Sequence, residues 1–173
     1  MPGPLLPLEG VVYTPPAQAK AYFEKQLWLD LTVAEALRRT AARVPGRIAF
    51  ASEEGELSFR DLDERSDRLG AALLALGVKP GERAMFQMGT VLETTIALAA
   101  CYKAGVIPVC SVPQYREIEI GQLARLSGAT AYFVQADFSA SFDLVGFAKG
   151  MQQKVPALKH LIVARQGGRD FSV

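Results

Sequence analysis

Between residues 82 and 164 short apolar runs alternate with helical stretches, and this rhythm constrains the fold more than any other feature of the chain. The runs are ERAMFQM at 82–88, the stretch 106–112, TAYFVQ at 130–135 and HLIVA at 160–164. Helical patterns fill the intervals at 91–104, 117–127 and 143–155. A strand buried on both faces needs apolar residues at successive positions, whereas a strand with one wet face alternates. These runs are near-continuous. The expectation is therefore an α/β fold, layered, with a mainly parallel sheet flanked by helices.

Local signals sharpen that reading. After Ser58, Leu62, Leu69, Leu73 and Leu76 are spaced seven, four and three apart and mark one stripe of a helix that ends at Gly77. Thr32 with Glu35, Thr90 with Glu93 and, in weaker form, Ser58 with Asp61 read as capping boxes. The 91–104 helix is apolar nearly all round and must be covered on most sides. Left without later layers of sheet and helix, it is expected to expose an apolar patch that drives self-association or pairing with a complementary chain. Gly105 permits a sharp reversal into the next strand. The carboxyl end of that strand, SVPQYR, falls where open α/β sheets place their ligand crevices.

Bulk properties exclude several classes. A chain of 173 residues, 50% hydrophobic and 21% charged, is an ordinary globular composition. A net charge of +1 without a basic cluster argues against a nucleic-acid partner. The apolar stretch 91–112 is interrupted by Glu93, Lys103, Gly105 and Pro108, so no membrane span is expected. The opening MPGPLLPLEG has prolines and a glutamate where an export signal would carry positive charge, and Cys101 and Cys110 read as reduced, buried thiols, so the expected location is cytoplasmic. Residues 1–31, proline-rich and then aromatic at Tyr13, Tyr22, Phe23 and Trp28, are expected to form an arm packed on the body that follows, residues 32–173.

The inventory of reactive groups is sparse. There is no phosphate-binding G-x-x-x-x-G-K-[ST] loop, no G-x-G-x-x-G after a strand and no G-x-S-x-G elbow. His160 is the single histidine and reads as structural; no catalytic or metal-ligating residue is assigned. Tyr102 and Lys103 read as packing plus a cation at a helix carboxyl end. The mixed charges between 53 and 68 read as a solvated surface. Pro113, Gln114, Tyr115 and Arg116 follow the strand edge with donors in series and precede a helix; a ligand contact and a purely structural turn both remain open for them.

The stretch LTVAEALRRTAARVPGRIAFASEEGELSFRDLDERSDRLGAALLALGVKPGERAMFQM, followed by ALAACYKAGVIPVCSVP, resembles the front of the large N-terminal domain of adenylate-forming enzymes, the acyl-CoA synthetase and aryl-acid AMP ligase superfamily. The likeness covers nearly all of residues 20–165 and is similar above all to the 2,3-dihydroxybenzoate-AMP ligase type, through SVPQYREIEIGQLARLSGATAYFVQADFSASFDLVGFAKGMQQKVPALKHLIVA. Departures from that subgroup stand at Pro113-Gln114-Tyr115-Arg116, in place of Pro-Ala-His-Arg, and at Met88-Gly89-Thr90, in place of Leu-Pro-Asn. They put the identity of the acyl substrate in doubt.

The resemblance implies an ATP-dependent ligase that joins a small carboxylic acid to AMP with Mg²⁺ and then forms a thioester with CoA or a carrier-protein phosphopantetheine. It also implies that residues 113–116 and the loop after Gln135 lie toward the thiol channel. The superfamily's lysine loop, aromatic-Glu segment, ribose-binding Asp and C-terminal lysine would all follow residue 173, so this segment alone is expected to be inactive, to bind no cofactor tightly and to need the remainder of the ligase or a complementary chain. A non-catalytic nucleotide- or CoA-binding domain, or a protein-interaction domain, is the alternative.

Overall fold

The computed structural model describes residues 12–168 and 170–172, and the proline-rich opening, residues 1–11, lies outside them. The chain divides into two units, Met1–Thr32 and Val33–Val173. In the first, helix α1 (Pro16–Glu24) starts with proline in its first turn, where a missing N–H costs nothing. Trp28 packs against Tyr22 and Phe23, with ring centroids 5.0 and 5.6 Å apart.

The second unit runs α2 (Val33–Arg43), β1 (Ile48–Ser52), β2 (Gly55–Ser58), α3 (Phe59–Ala75), β3 (Arg83–Gln87), α4 (Leu92–Ala104), β4 (Ile107–Cys110), α5 (Glu117–Ser127), β5 (Ala131–Gln135), α6 (Leu144–Lys154), β6 (His160–Ala164) and β7 (Phe171–Ser172). Strands β1 and β2 form a separate antiparallel hairpin. The main sheet has the order β4-β3-β5-β6-β7, parallel except for β7, which pairs antiparallel to β6.

The expected layered architecture is present. Alternate residues of β3, β5 and β6 serve different cores, whereas the edge strand β4 is only partly buried. Ala84, Phe86, Ala131, Phe133, Ile162 and Ala164 join the core under α3 and α4. Met85, Tyr132, Val134 and Val163 join the core under α5 and α6. Covering both faces is what makes the strands continuously apolar. Phe86 and Phe133, partners in register, stack with centroids 4.5 Å apart.

Ser58 caps α3, its Oγ accepting the Asp61 N–H at 3.1 Å. The capping box read at Thr90 and Glu93 does not form: Val91 stands at the N-cap of α4, and Thr94 Oγ1 donates instead to the Gly89 carbonyl at 2.6 Å. Glu93 is drawn away because its carboxylate accepts from Arg165. Gly105 (φ 71°) and Gly128 (φ 60°) end α4 and α5 in the left-handed conformation.

Helix α4 is covered on most sides, as its all-round apolar sequence requires. Ile96, Ala97, Ala100 and Cys101 are at most 1% exposed, because α3 and the sheet of this same chain cover them. Contact between α3 and α4 is close: a Cβ built on Gly70 would lie 3.2 Å from the Ala100 carbonyl oxygen. What remains open is an apolar groove of about 290 Å³ bounded by Val33 and Leu37 of α2, Leu62 of α3, and Leu98 and Tyr102 of α4.

Candidate functional site at the carboxyl edge of the sheet

Because β3, β5 and β6 run parallel, they end on one edge of the sheet, and at each end a polar side chain ties loops together. Gln87, the last residue of β3, is fully buried. Its Nε2 donates to the carbonyls of Pro113 at 2.9 Å and Tyr115 at 2.8 Å, while its Oε1 accepts from the buried hydroxyl of Tyr132. Both amide protons and the carbonyl are thereby used, which fixes the amide's orientation, since a flip would face oxygen with two oxygens. Burial pushes the Tyr132 hydroxyl well above its usual pKa, so it stays a donor.

Gln135 ends β5 in the same manner. Its Oε1 accepts the Gly89 N–H at 3.0 Å and its Nε2 donates to Asp137 at 2.8 Å. At Gly89 a Cβ would stand only 3.1 Å from that Oε1, so the close approach depends on glycine.

Directly after β6, Arg165 takes a left-handed backbone (φ 61°) and faces three carboxylates. It donates to Glu93 at the start of α4 through Nε at 2.8 Å, to both oxygens of Glu54 at the tip of the β1–β2 hairpin, and more weakly to Asp137 at 3.5 Å. The paired hydrogen bonds to Glu54 are the strong, fork-shaped kind and hold the guanidinium's pKa above its ordinary value.

Of the residues singled out from sequence, Pro113, Tyr115 and Arg116 come together around Gln87, and Gln114 is exposed beside them. Arg116 is turned onto its own loop rather than presented outward. Its Nη1 donates to the same two carbonyls, Pro113 at 3.2 Å and Tyr115 at 2.8 Å, and its guanidinium lies 3.8 Å from the centre of the Phe142 ring. Its main-chain N–H donates to Glu119 at 3.1 Å, capping α5.

His160 begins β6 at the opposite edge of the sheet. Lys103 does more than face a helix end: nearly buried, it pairs with Asp63 at 2.5 Å and Asp67 at 3.0 Å. Those acids, with Glu54 and Arg65, which binds Asp170 at 2.7 Å, correct the reading of 53–68 as merely solvated. Long-range partners drew them out of the solvent pattern.

Gln87, Gln135 and Arg165 escaped sequence reading. Their signal was present, since each is a polar residue at or just past the end of an apolar run, where a buried strand has no other reason to carry one.

Among the described residues no group of three or more His, Cys, Asp and Glu side chains is arranged to hold a metal ion. Both cysteines are free, Cys101 buried as expected and Cys110 exposed at the end of edge strand β4; desolvation raises both thiols, Cys101 up to about 12, so neither is a ready nucleophile. No helix among the described residues is long and apolar enough to cross a membrane.

Comparison with known proteins fits this geometry. The chain is 36% identical over 94% of its length to salicyl-AMP ligase / salicyl-S-ArCP synthetase of Mycobacterium tuberculosis and 32% identical over 91% to 2,3-dihydroxybenzoate-AMP ligase of Bacillus subtilis, spanning 29% of the length of each. The apo structure of Mycobacterium smegmatis MbtA superposes with a TM-score of 0.79 at 28% identity, over 89% of this chain and 28% of that one. A profile of the AMP-binding enzyme family matches residues 37–170, three quarters of the chain and all of the main sheet's parallel strands, and the chain belongs to that family.

Proposed function

We propose that this region works as the front scaffold of an ATP-dependent ligase that activates a small carboxylic acid, most simply an aryl acid, as its adenylate and then transfers the acyl group to a thiol. The observation that carries the reading is the match, over more than nine-tenths of the chain, to two aryl-acid AMP ligases. In this reading the carboxyl edge forms one wall of the site. The loop of Pro113, Gln114, Tyr115 and Arg116, with the loop after Gln135, faces the thiol acceptor, coenzyme A or a carrier-protein phosphopantetheine. The groups that clamp ATP and Mg²⁺ belong to the part of the relatives that this chain does not cover, and the remainder of the ligase or a complementary chain supplies them. Two free thiols suit a reducing cytoplasm.

Pyrophosphate exchange tests this. The chain is assayed alone, and again mixed with a polypeptide corresponding to the portion of the Bacillus subtilis ligase beyond the match, against a panel of aryl and aliphatic acids. Exchange with an aryl acid only in the mixture is expected. Silence in the mixture with every acid, or exchange by the chain alone, overturns the proposal.

A further inference from the structure

The loop at residues 113–116 has no hydrophobic core of its own. Pro113 is half-buried, and Gln114, Tyr115 and Arg116 are exposed, yet two of its backbone carbonyls are held by a single amide beneath it. We infer that Gln87, oriented by Tyr132, is a positioning residue that sets the shape of this loop and through it the fit of the thiol ligand; the ligand part of this inference rests on the function proposed above.

Gln87 spends two donors on Pro113 and Tyr115 and its acceptor on Tyr132, with no exposed surface on either Gln87 or Tyr132. A buried amide at a strand end could have been satisfied within the sheet, but this one reaches 26 and 28 residues along the chain to a loop on the rim. The same carbonyls accept from Arg116 on the solvent side, so each oxygen is gripped from below by a buried neutral donor and from above by an exposed charged one. Only the lower grip is shielded from solvent and salt. Tyr132 supplies the third point: its ring sits in the core under α5 and α6, and its hydroxyl holds the Gln87 oxygen so that the nitrogen points at the loop.

Two variants test the inference on the chain itself. Gln87→Glu keeps the acceptor for Tyr132 but replaces the two donors with an oxygen facing two carbonyl oxygens. Tyr132→Phe keeps the donors and frees the amide to rotate, and it serves if the first variant folds poorly. Amide hydrogen exchange reads the clamp at Tyr115, whose N–H is bonded to the Val112 carbonyl at 3.0 Å, with the amides of β3 and β5 as control.

Exchange at Tyr115 is expected to accelerate roughly 10-fold or more in Gln87→Glu, the equivalent of one to two lost hydrogen bonds, and about 3-fold in Tyr132→Phe, while the strands keep their protection. Unchanged exchange at Tyr115 in both variants, or equal acceleration throughout the sheet, overturns the clamp. Titration calorimetry with coenzyme A reads the consequence. Affinity should fall in the same order as exchange rises, whereas the destabilised amino-edge variant Gly128→Ala should retain it. A wild-type chain that does not bind coenzyme A overturns the ligand assignment, while the exchange data still decide the clamp.

Discussion

At the amino edge of the parallel sheet the chain closes mainly through its own backbone, whereas at the carboxyl edge it closes through side chains. On the amino side Gly81 donates to the Gly105 carbonyl at 2.7 Å, Ile107 to Glu82 at 2.8 Å, and Thr130 to Arg83 at 2.9 Å. The side chain of Arg83 then donates to the carbonyls of Gly81, Ser127 and Gly128, sealing the end of α5. On the carboxyl side Gln87, Gln135 and Arg165 join loops 26 to 111 residues apart. The backbone bonds of the amino edge tolerate most side-chain replacement, the Arg83 seal being the exception. Side-chain closure is specific and fragile, and it is found on the edge where α/β sheets present ligands. The difference separates a rim that serves stability from one that shapes a surface.

The sharpest way to break this comparison is Arg83→Met. Three charge-assisted hydrogen bonds to carbonyls are lost, and unfolding in urea should show a loss of about 3 kcal/mol, with exchange at residues 113–116 unchanged; a loosened rim loop would erase the distinction between the edges. Next is Arg165→Gln, which leaves Glu93, almost buried, without its cation. We expect a loss of about 2 kcal/mol together with faster exchange at the β1–β2 hairpin tip, and a purely global loss would argue that Arg165 is not a tie between loops. Gly128→Ala should cost about 1 kcal/mol from its left-handed backbone, and more if the Arg83 side chain, 2.6 Å from the new Cβ, cannot move aside.

The smallest effect is on pH dependence. Burial pushes the Asp67 carboxyl up, but hydrogen bonds from Lys103 and Arg38 outweigh it and hold the group below its ordinary value. Glu82 is lowered too, first by the Lys79 N–H and then by Thr130. A depressed acid stabilises the fold above its unfolded pKa, near 4, and that contribution disappears as pH falls through the native value. The melting temperature should therefore decline below about pH 4, and Asp67→Asn should flatten the decline; an unaltered profile would remove Asp67 from the account.

How much of this could be read beforehand follows from the range of the interactions. Strands β3 to β6, the caps at Gly105 and Gly128 and the Ser58 cap are set by residues within a few positions of one another, and each was visible in the sequence. The second strand of the hairpin, GELS, and the two-residue β7 were missed because neither is long enough to show a period. Thr90 and Glu93 matched a capping motif that lost to a cation 72 residues away. The loop 113–116 was singled out for its donors, but those of Arg116 turn inward, and the residue that governs the loop, Gln87, lies in the strand beneath it.

Helices α3 and α4 meet at a close seam. With Gly70 against the Ala100 carbonyl, and Ala97 and Ala104 among the buried residues of the same core, the pair has little compressible material between its two backbones. Added bulk there has nowhere to go except into moving one helix bodily. Since α4 also carries Glu93, one of the three acids gripped by Arg165, a methyl group inserted at position 70 should be felt as a displaced rim far from the insertion.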